Sequence, residues 1–460
     1  MYIAIAVTWL TAALLQAALT IFLCRRVRAI VPATHTFMVA IFLPTLGAGN
    51  AMLSGVPGCD VVGLLGAAVS TTLYVALFLA VVQLAPALFS PTPWRLAIRS
   101  VSGGWLVACV VLWILVKGWL FARYGLAAIR SITLLNQPGF ELTYAYWETI
   151  LNAAAVDLLQ AAIFLCLLRI AFGVEHAWVA AIVGLGLVSQ LMLGEIGAGA
   201  RRTILALAVT YLITRWWASA DLRKLGKEIA FGLCLVAAFT VYYPYVRTNL
   251  NAPDIQARLT SGDLSETVLA ALSLFVPNEE SVASGRVPIV REGPMELLCR
   301  VTEKQWARGQ LTWGTVTGAA LYMSIPSVFL ANKASTDPDE IVAKSYDLYP
   351  QQEFTTVDLA TSPLAQLQSD FGPVGWFLAP VMYALVFMIF SSVFISTRFA
   401  VFTRLLALGA LWSVAASPEA SLTAATSQLR DFVLFSVLIE ILRRGYSELR
   451  PGFELAGLSR

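Results

Sequence analysis

The sequence predicts an all-α polytopic membrane protein with about eleven transmembrane helices and one large, partly helical outer loop. Hydrophobic residues make up 58% of the 460 residues and charged residues only 13%, with a mean hydropathy of +0.75. This composition excludes an ordinary soluble domain. Apolar runs of the roughly 20 residues that cross a bilayer recur along the chain, and helices satisfy their own backbone groups in lipid.

Eleven apolar runs divide the chain into three parts. Residues 1–246 hold eight runs and predict an N-terminal transmembrane bundle. Residues 247–372 predict a large outer loop with amphipathic helices, and residues 373–460 the last spans and a short cytoplasmic tail. The first run lacks the basic start and the cleavage site of a signal peptide, so we expect it to be retained. The predicted spans are 2–23, 36–56, 60–88, 101–121, 149–172, 177–194, 202–218, 228–246, 373–396, 400–416 and 428–443.

Arginine and lysine predict the orientation of the bundle, because short loops rich in these residues usually stay in the cytoplasm. The basic groups share one side if the N-terminus is outside, the C-terminus is inside and residues 247–372 form one outer loop. A further crossing by the apolar stretch 311–331 would break this pattern, so we predict a re-entrant or interfacial segment there. The basic groups are Arg25, Arg26 and Arg28; Arg95 and Arg99; Arg215, Arg223, Lys224 and Lys227; Arg398 and Arg404; and Arg443, Arg444 and Arg450.

Two arginines begin a span on the predicted outer side, in the stretch GEIGAGARRTILALAV at 194–209. One interpretation of Arg201 and Arg202 is that they are side chains reaching for the membrane interface. The start of a helix, however, offers free N–H groups and the positive end of the helix dipole, and the preceding glycines let a ligand approach the backbone. We therefore predict that both arginines bind a phosphate or diphosphate.

The outer loop carries about half of the 28 acidic residues of the chain. Its segment 293–309 has the pattern of an amphipathic helix, with Pro294 at the first helical position. Charged residues recur on one face of this helix. Two interpretations stay open, namely pairing with each other at i, i+4 spacing and binding of an anionic substrate. The candidates for substrate binding in the loop are Arg286, Arg291, Arg300, Lys304 and Lys333.

The end of the loop, DLATSPLAQLQSDFGPVGWF at 358–377, predicts a short helix. Ser362 suits the N-cap, Pro363 the first turn and Gly372 the C-terminal stop. Asp370 on this helix is either a solvated surface carboxylate or a group that meets a sugar hydroxyl. Glu195, just before the two arginines, is the second candidate for a catalytic carboxylate.

Tyr242 and Arg247, at the outer end of the predicted span 228–246, are candidates for a sugar site, although tyrosines at an interface also anchor helices. His35 and His176 fall near predicted cytoplasmic span ends, as surface or interfacial residues. No cysteine spacing fits a metal site and no basic stripe fits nucleic acid, so we expect no metal, cofactor or nucleic acid.

Cys59 and Cys299 both fall in predicted outer loops. A disulfide between them is one interpretation, and two free thiols are the one that we favour. The other cysteines lie in or beside spans, where we expect small apolar fillers.

Three stretches, GAGARRTILALAV, IPSVFLANK and DLATSPLAQLQSDFGPVGW, resemble bacterial oligosaccharide repeat-unit polymerases of the O-antigen polymerase (Wzy-like) family. The first resembles the family's Gly-x-Arg entry to a central span, and the last its polar, Phe-Gly-rich approach to a late span. The resemblance implies a multi-pass enzyme of the bacterial inner membrane with its active site facing the periplasm. It would be a metal-independent glycosyltransferase that polymerises undecaprenyl-diphosphate-linked oligosaccharides for surface polysaccharides, without a cofactor.

The resemblance implies that Arg201 binds the diphosphate. Glycosyl transfer also needs a base or an orienting group for the acceptor hydroxyl, and Glu195, Asp370 and the acids of the outer loop are the candidates. The expected partners are the lipid-linked oligosaccharide, the lipid bilayer, and a chain-length regulator and flippase of the same pathway. The chain departs from the family at Ser327 and Ala334, around IPSVFLANK. It departs from the related O-antigen ligases in lacking a histidine in the outer loop.

Three alternatives stay open. A GT-C-type lipid-phosphosugar glycosyltransferase usually carries acidic residues in a large early outer loop, which here holds little beyond Asp60. An O-antigen ligase is the second alternative. A lipid-linked glycan flippase or transporter is the third, and it needs charges along a path inside the membrane, whereas Lys117, Asp157 and Asp431 are scattered over separate spans. An ionisable residue inside a span is nevertheless a functional candidate by default.

Overall fold

The computed structural model describes residues 2–53, 60–124, 145–193, 200–219, 226, 258, 266, 269, 293–325, 338–348, 362–418 and 421–449. Regular structure in these segments is helical, without a strand. Within them, seven helices are long and apolar enough to cross a membrane by length and composition, and three shorter apolar helices accompany them. The prediction of a helical, multi-pass membrane protein is therefore confirmed.

The N-terminal half of the described chain forms a bundle of ten α-helices, three of which have ten residues or fewer. The helices are α1 (Tyr2–Val27), α2 (Ile30–Ala40), α3 (Leu46–Leu53), α4 (Val61–Val82), α5 (Pro86–Phe89), α6 (Pro91–Ser100), α7 (Gly103–Tyr124), α8 (Tyr146–Ala171), α9 (Ala177–Leu193) and α10 (Ala200–Ser219).

The C-terminal half contributes a group of short helices, α11 to α14, and then three long ones. We call α11 to α14 the helical cap. The helices are α11 (Pro294–Arg308), α12 (Thr315–Ser324), α13 (Pro338–Ser345), α14 (Pro363–Phe371), α15 (Gly375–Ile395), α16 (Val401–Ala416) and α17 (Leu422–Leu449).

The second predicted span, 36–56, begins too late, because the helix starts at Ile30. Pro32 lies in the first turn of α2, where a missing N–H breaks no helical hydrogen bond. Pro44 lies inside a π-helical turn, Ile41–Thr45, that joins α2 to α3, and a π-bulge is a usual way to accommodate such an interruption. The third predicted span is shorter than expected, since α4 ends at Val82.

Helix α8 lies at the centre of the bundle, in contact with α7, α9, α10, α16 and α17. Its closest neighbour is α16, where a Cβ on Gly409 would lie 1.9 Å from the backbone oxygen of Asp157. Only glycine allows this approach. Beside it, the rings of Phe164 and Trp412 stack with their centroids 4.5 Å apart, so the α8–α16 interface is tightly packed.

The helical cap covers one end of the bundle, which we call the cap end. Helix α11 packs on the first turns of α4, where a Cβ on Gly63 would lie 2.5 Å from the backbone oxygen of Cys299 and one on Gly66 2.4 Å from Thr302 Cγ2. Helices α15 and α17 also begin at the cap end. Helix α14 packs on α15, and the Leu422 amide at the start of α17 donates to Gln366 Oε1 of α14 at 2.6 Å.

The other end of the bundle, which we call the basic end, is held by buried arginines. Arg169, near the end of α8, pairs with Glu175 at 2.6 Å and donates to the carbonyls of Ile98 and Val101. Arg404 at the start of α16 donates to Phe394 O at 2.8 Å. The end of α6 is therefore fixed against α8 and α16.

Candidate functional site

The short helix predicted before the last spans is present as α14. The Ser362 hydroxyl accepts a hydrogen bond from the Ala365 amide at 3.2 Å, and Gly372 ends the helix at a φ of +59°. Both end signals are thus confirmed. The helix is not a surface helix, however, because Gln366, Asp370 and most of the residues between them are fully buried.

Asp370 is a buried anchor for α12 and not a solvated carboxylate. Its Oδ1 accepts from Thr312 Oγ1 at 2.6 Å and from the Val316 amide at 3.1 Å. Its Oδ2 accepts from the Thr317 amide at 2.7 Å and from the Thr317 hydroxyl at 2.5 Å. These amides belong to the first turn of α12, whose N-cap, Gly314, has no side chain. Asp370 therefore supplies the cap from another helix, and its acceptor sites are filled.

A polar network continues from Asp370 and joins α11, α13 and α14. The Tyr346 hydroxyl donates to Ser369 O at 3.0 Å or Gln310 O at 3.1 Å, and Gln305 Nε2 donates to the Tyr346 oxygen at 3.0 Å. Burial raises the pKa of Tyr346, the hydrogen bond from Gln305 lowers it, and the nearby charge of Asp370 raises it further. The phenol is therefore a neutral hydrogen-bond donor, which stabilises the cap.

The segment 293–309 forms the predicted amphipathic helix, α11. Pro294 occupies its first turn, and Gly309 ends it with a φ of +63°. Arg300 donates to the backbone oxygen of Leu348, while Lys304 is half-buried. The structure thus uses Arg300 to tie α11 to the end of α13, a role that sequence reasoning did not assign to it.

Helix α10, which begins with the two predicted anion-binding arginines, runs from the cap end to the basic end. Arg215, near its C-terminus, lines a cavity with Arg95 and Phe172 at the basic end. A helix of 20 residues is about 30 Å long, so the first turn of α10 lies towards the cap end. The side chains of Arg201 and Arg202 lie outside the described residues, as do Glu195, Tyr242, Arg247, Arg286, Arg291 and Lys333.

A polar cluster that sequence reasoning treated as scattered charges lies inside the bundle. Asp157 of α8 is 4% exposed and Asp431 of α17 is 7% exposed, and the two carboxyl groups interact electrostatically. Ser413 of α16 donates to Asp157 Oδ1 at 3.4 Å or to Gln160. The signal in the sequence was an acidic residue within an apolar stretch of each of the two helices.

The same cluster is linked to the helical cap. Arg430 Nε lies 2.7 Å from Asp431 Oδ1, and Arg430 Nη1 donates to the backbone oxygen of Ser324 at 3.0 Å. Ser324 also bonds to Thr426. Ser324 is the last residue of α12, so α12 runs from Asp370 in the cap to Arg430 beside the intramembrane acids.

The predicted re-entrant stretch 311–331 corresponds in part to α12, and residues 326–331 lie outside the described residues. The ten residues of α12 rise about 15 Å, which is half of a hydrocarbon core of about 30 Å. Helix α12 packs along α17, α13 and α14. Within the described residues, this stretch enters the bundle beside α17 without crossing it.

His35 is not the surface or interfacial residue that the sequence analysis predicted. It is fully buried, its Nε2 lies 2.8 Å from the Tyr74 hydroxyl, and its ring stacks on Tyr383 with centroids 5.8 Å apart. The reason is that α2 begins at Ile30 and not at residue 36, so His35 lies within a buried helix and not at a helix end. His176 is exposed at the basic end.

Cys299 is disulfide-bonded, so the prediction of a free thiol at this position is wrong. Its partner lies outside the described residues, since Cys24, Cys109 and Cys166 are free. Within the residues that the structure describes, no group of three or more histidine, cysteine, aspartate or glutamate side chains could hold a metal ion.

Comparison with known proteins gives no relative: no protein-family model, no curated protein and no solved structure matches the chain. The chain belongs to the helical, multi-pass membrane proteins on the evidence of its own fold.

Proposed function

We propose that the protein is a membrane glycosyltransferase that polymerises undecaprenyl-diphosphate-linked oligosaccharides at the periplasmic face of a bacterial inner membrane. The observation that carries the proposal is the direction of α10. Its arginine-bearing first turn lies towards the end of the bundle that the helical cap covers. Helix N–H groups, a glycine-rich approach and guanidinium groups together suit a lipid diphosphate.

The proposed topology has eleven spans, with the cap end outside. Helix α10 ends at the basic end and α11 begins in the cap, as the predicted span 228–246 requires. The arginine-rich basic end then faces the cytoplasm, in agreement with the positive-inside rule. The disulfide at Cys299 of the cap fits an oxidising compartment such as the periplasm.

The proposed chemistry separates two tasks. Arg201 and Arg202 neutralise the charge that develops on the departing diphosphate, and a carboxylate orients the acceptor hydroxyl or accepts its proton. Asp370 already accepts four hydrogen bonds from Thr312 and the first turn of α12. Glu195 is therefore the stronger candidate for the carboxylate that acts on the acceptor. No metal is needed if the arginines stabilise the negative charge of the departing diphosphate.

The experiment is polymerisation by the purified full chain in liposomes that contain the lipid-linked oligosaccharide, with product length measured on gels. Arg201→Ala should lower the rate by about one to two decades, the loss expected for one charge-assisted hydrogen bond. Arg201→Lys should also be slow, because an ammonium cannot make the bidentate contact. Arg398→Ala removes an exposed arginine that follows α15 and should be silent. Normal polymer from both Arg201→Ala and Arg202→Ala would refute the proposal.

A second candidate, a lipid-linked glycan flippase or transporter, is favoured by the pair formed by Asp157 and Asp431. Ionisable carboxyl groups buried inside a membrane are suited to hold a proton or a cation, as ion-coupled transporters require. The two candidates differ in where substrate accumulates. A cell without a polymerase holds single repeat units on the outer leaflet, whereas a cell without a flippase holds them on the inner leaflet.

The double variant Asp157→Asn/Asp431→Asn tests the transporter more directly. It keeps the volume of both side chains and removes both ionisable groups. If the protein transports, this variant should stop the appearance of lipid-linked glycan on the outer leaflet of the inner membrane, measured by lectin labelling of spheroplasts. If it polymerises, outer-leaflet repeat units should remain at or above the wild-type level.

A further inference from the structure

We propose that the basic end of the bundle contains a second anion site, a pocket for the phosphate group of an anionic lipid or of a free phosphate. The pocket is a cavity of about 360 Å³ lined by Arg95 and Arg99 of α6, Arg215 of α10 and the turn after α8. It lies at the opposite end from the first turn of α10, so it is separate from the diphosphate site proposed above.

The arginines at this end have two different tasks. Arg169 and Arg404 are buried, and they donate to backbone carbonyls or to the Ser100 hydroxyl at the end of α6. They therefore hold the walls of the pocket. Arg95 and Arg99 are exposed on the other face of α6, and they line the cavity.

The electrostatics of the pocket favour an anion. The described residues that line it include three arginines and no aspartate or glutamate. The nearest acid along the chain, Glu175, is already paired with Arg169 at 2.6 Å. Neither Arg95 nor Arg99 pairs with a carboxylate within the part of the chain that the structure describes. Guanidinium groups bind phosphate oxygens with geometry that an ammonium does not reproduce.

The remaining walls fit a lipid headgroup. Ile98, Ala171, Phe172 and Val174 supply apolar surface next to the arginines, and the Arg95 guanidinium lies 5.1 Å from the centre of the Phe172 ring. Gly173 has a φ of +68°, and a Cβ there would meet no atom of the described residues within 4 Å, so the turn does not fill the mouth of the pocket. Basic pockets between helices on the cytoplasmic side are a recurring way to bind phospholipid headgroups.

The test is native mass spectrometry of the purified full chain, loaded with phosphatidylglycerol and compared with phosphatidylcholine. Arg95→Gln/Arg99→Gln should weaken the tightest phosphatidylglycerol adduct at least about ten-fold, the loss expected for one charge-assisted bond. The matched control is Arg398→Gln, which removes one exposed arginine outside the pocket, and it should retain the lipid as the wild type does. Arg95→Lys/Arg99→Lys should fall between the two.

Inorganic phosphate distinguishes the two sources of the ligand. If millimolar phosphate displaces the lipid from the wild type, the pocket recognises the phosphate group itself. If only the lipid binds, its glycerol and acyl parts contribute as well. Both results support the pocket. Equal lipid retention by the wild type and the double glutamine variant, with no phosphate binding that depends on Arg95 and Arg99, would overturn it, and unchanged thermal stability of the variants rules out misfolding as a cause.

Discussion

Replacing Asp370 by asparagine should open the first turn of α12 before it affects any other helix. The carboxylate accepts four hydrogen bonds, two of them from the amides of Val316 and Thr317. Asparagine keeps one acceptor oxygen and turns an amide nitrogen towards donors, so about half of these bonds are lost.

The magnitude follows from the charge and the burial of the group. A hydrogen bond to a charged partner contributes about 1.5–3 kcal/mol, and bonds that share one carboxylate are not additive. Losing half of the set should therefore cost about 2–4 kcal/mol. Since each 1.4 kcal/mol is a factor of ten, local opening of α12 should become about 30 to 900 times more frequent.

The assay is amide hydrogen exchange of the peptide that covers 312–324, followed by mass spectrometry. Exchange of protected amides reports the free energy of local opening. The matched control is Asp347→Asn, the same substitution at an exposed carboxylate of the cap that pairs with Arg308 at 2.9 Å. A surface pair contributes about 0–1 kcal/mol, so this variant should exchange almost like the wild type.

One result would refute the structural role of Asp370. If Asp370→Asn exchanged at the wild-type rate in 312–324 and still lost polymerising activity, the carboxylate would act on substrate, as the sequence analysis first considered. If protection and activity fall together, an activity loss at Asp370 is a consequence of the displaced helix.

Two further predictions follow from close contacts. Gly409→Ala should prevent stable packing of α16 on α8, because its Cβ would lie 1.9 Å from Asp157 O. The detergent-solubilised variant should therefore unfold at a lower temperature than the wild type. The control Gly318→Ala should not, because a Cβ there meets no described atom within 4 Å. Cys299 should form its disulfide with Cys59, because Asp60, the residue after Cys59, donates its amide to Glu303 of α11 at 3.2 Å. Peptide mapping without reduction should find the linked pair. A Cys299 peptide that is alkylated without reduction would contradict this prediction.

Sequence patterns predicted the features whose causes are local. Ser362, Gly372 and Pro294 act at helix ends, where a residue's own backbone preference decides the outcome, and the apolar runs gave the helical membrane class. The role of Asp370 was not predictable in this way, because its amide partners lie more than 50 positions earlier in the chain.

The interaction of the two buried acids inside the bundle was even less predictable from the sequence. Asp157 and Asp431 each interrupt an apolar helix, and the sequence shows only that each is unusual there. Their interaction depends on how α8, α16 and α17 pack, and therefore on positions such as Gly409 that let backbones approach closely. Charges that look scattered along a membrane protein therefore need a tertiary structure before a transport path can be judged.

Helix α12 is clamped at both ends by charged side chains of other helices. Asp370 of α14 holds its first turn, and Arg430 of α17 holds its last carbonyl. Such a helix transmits displacement along its axis, since its ten residues cannot lengthen without breaking their own hydrogen bonds. A sliding motion of α17 at the level of Arg430 would therefore be passed on to α14, and the cap and the membrane interior are mechanically coupled.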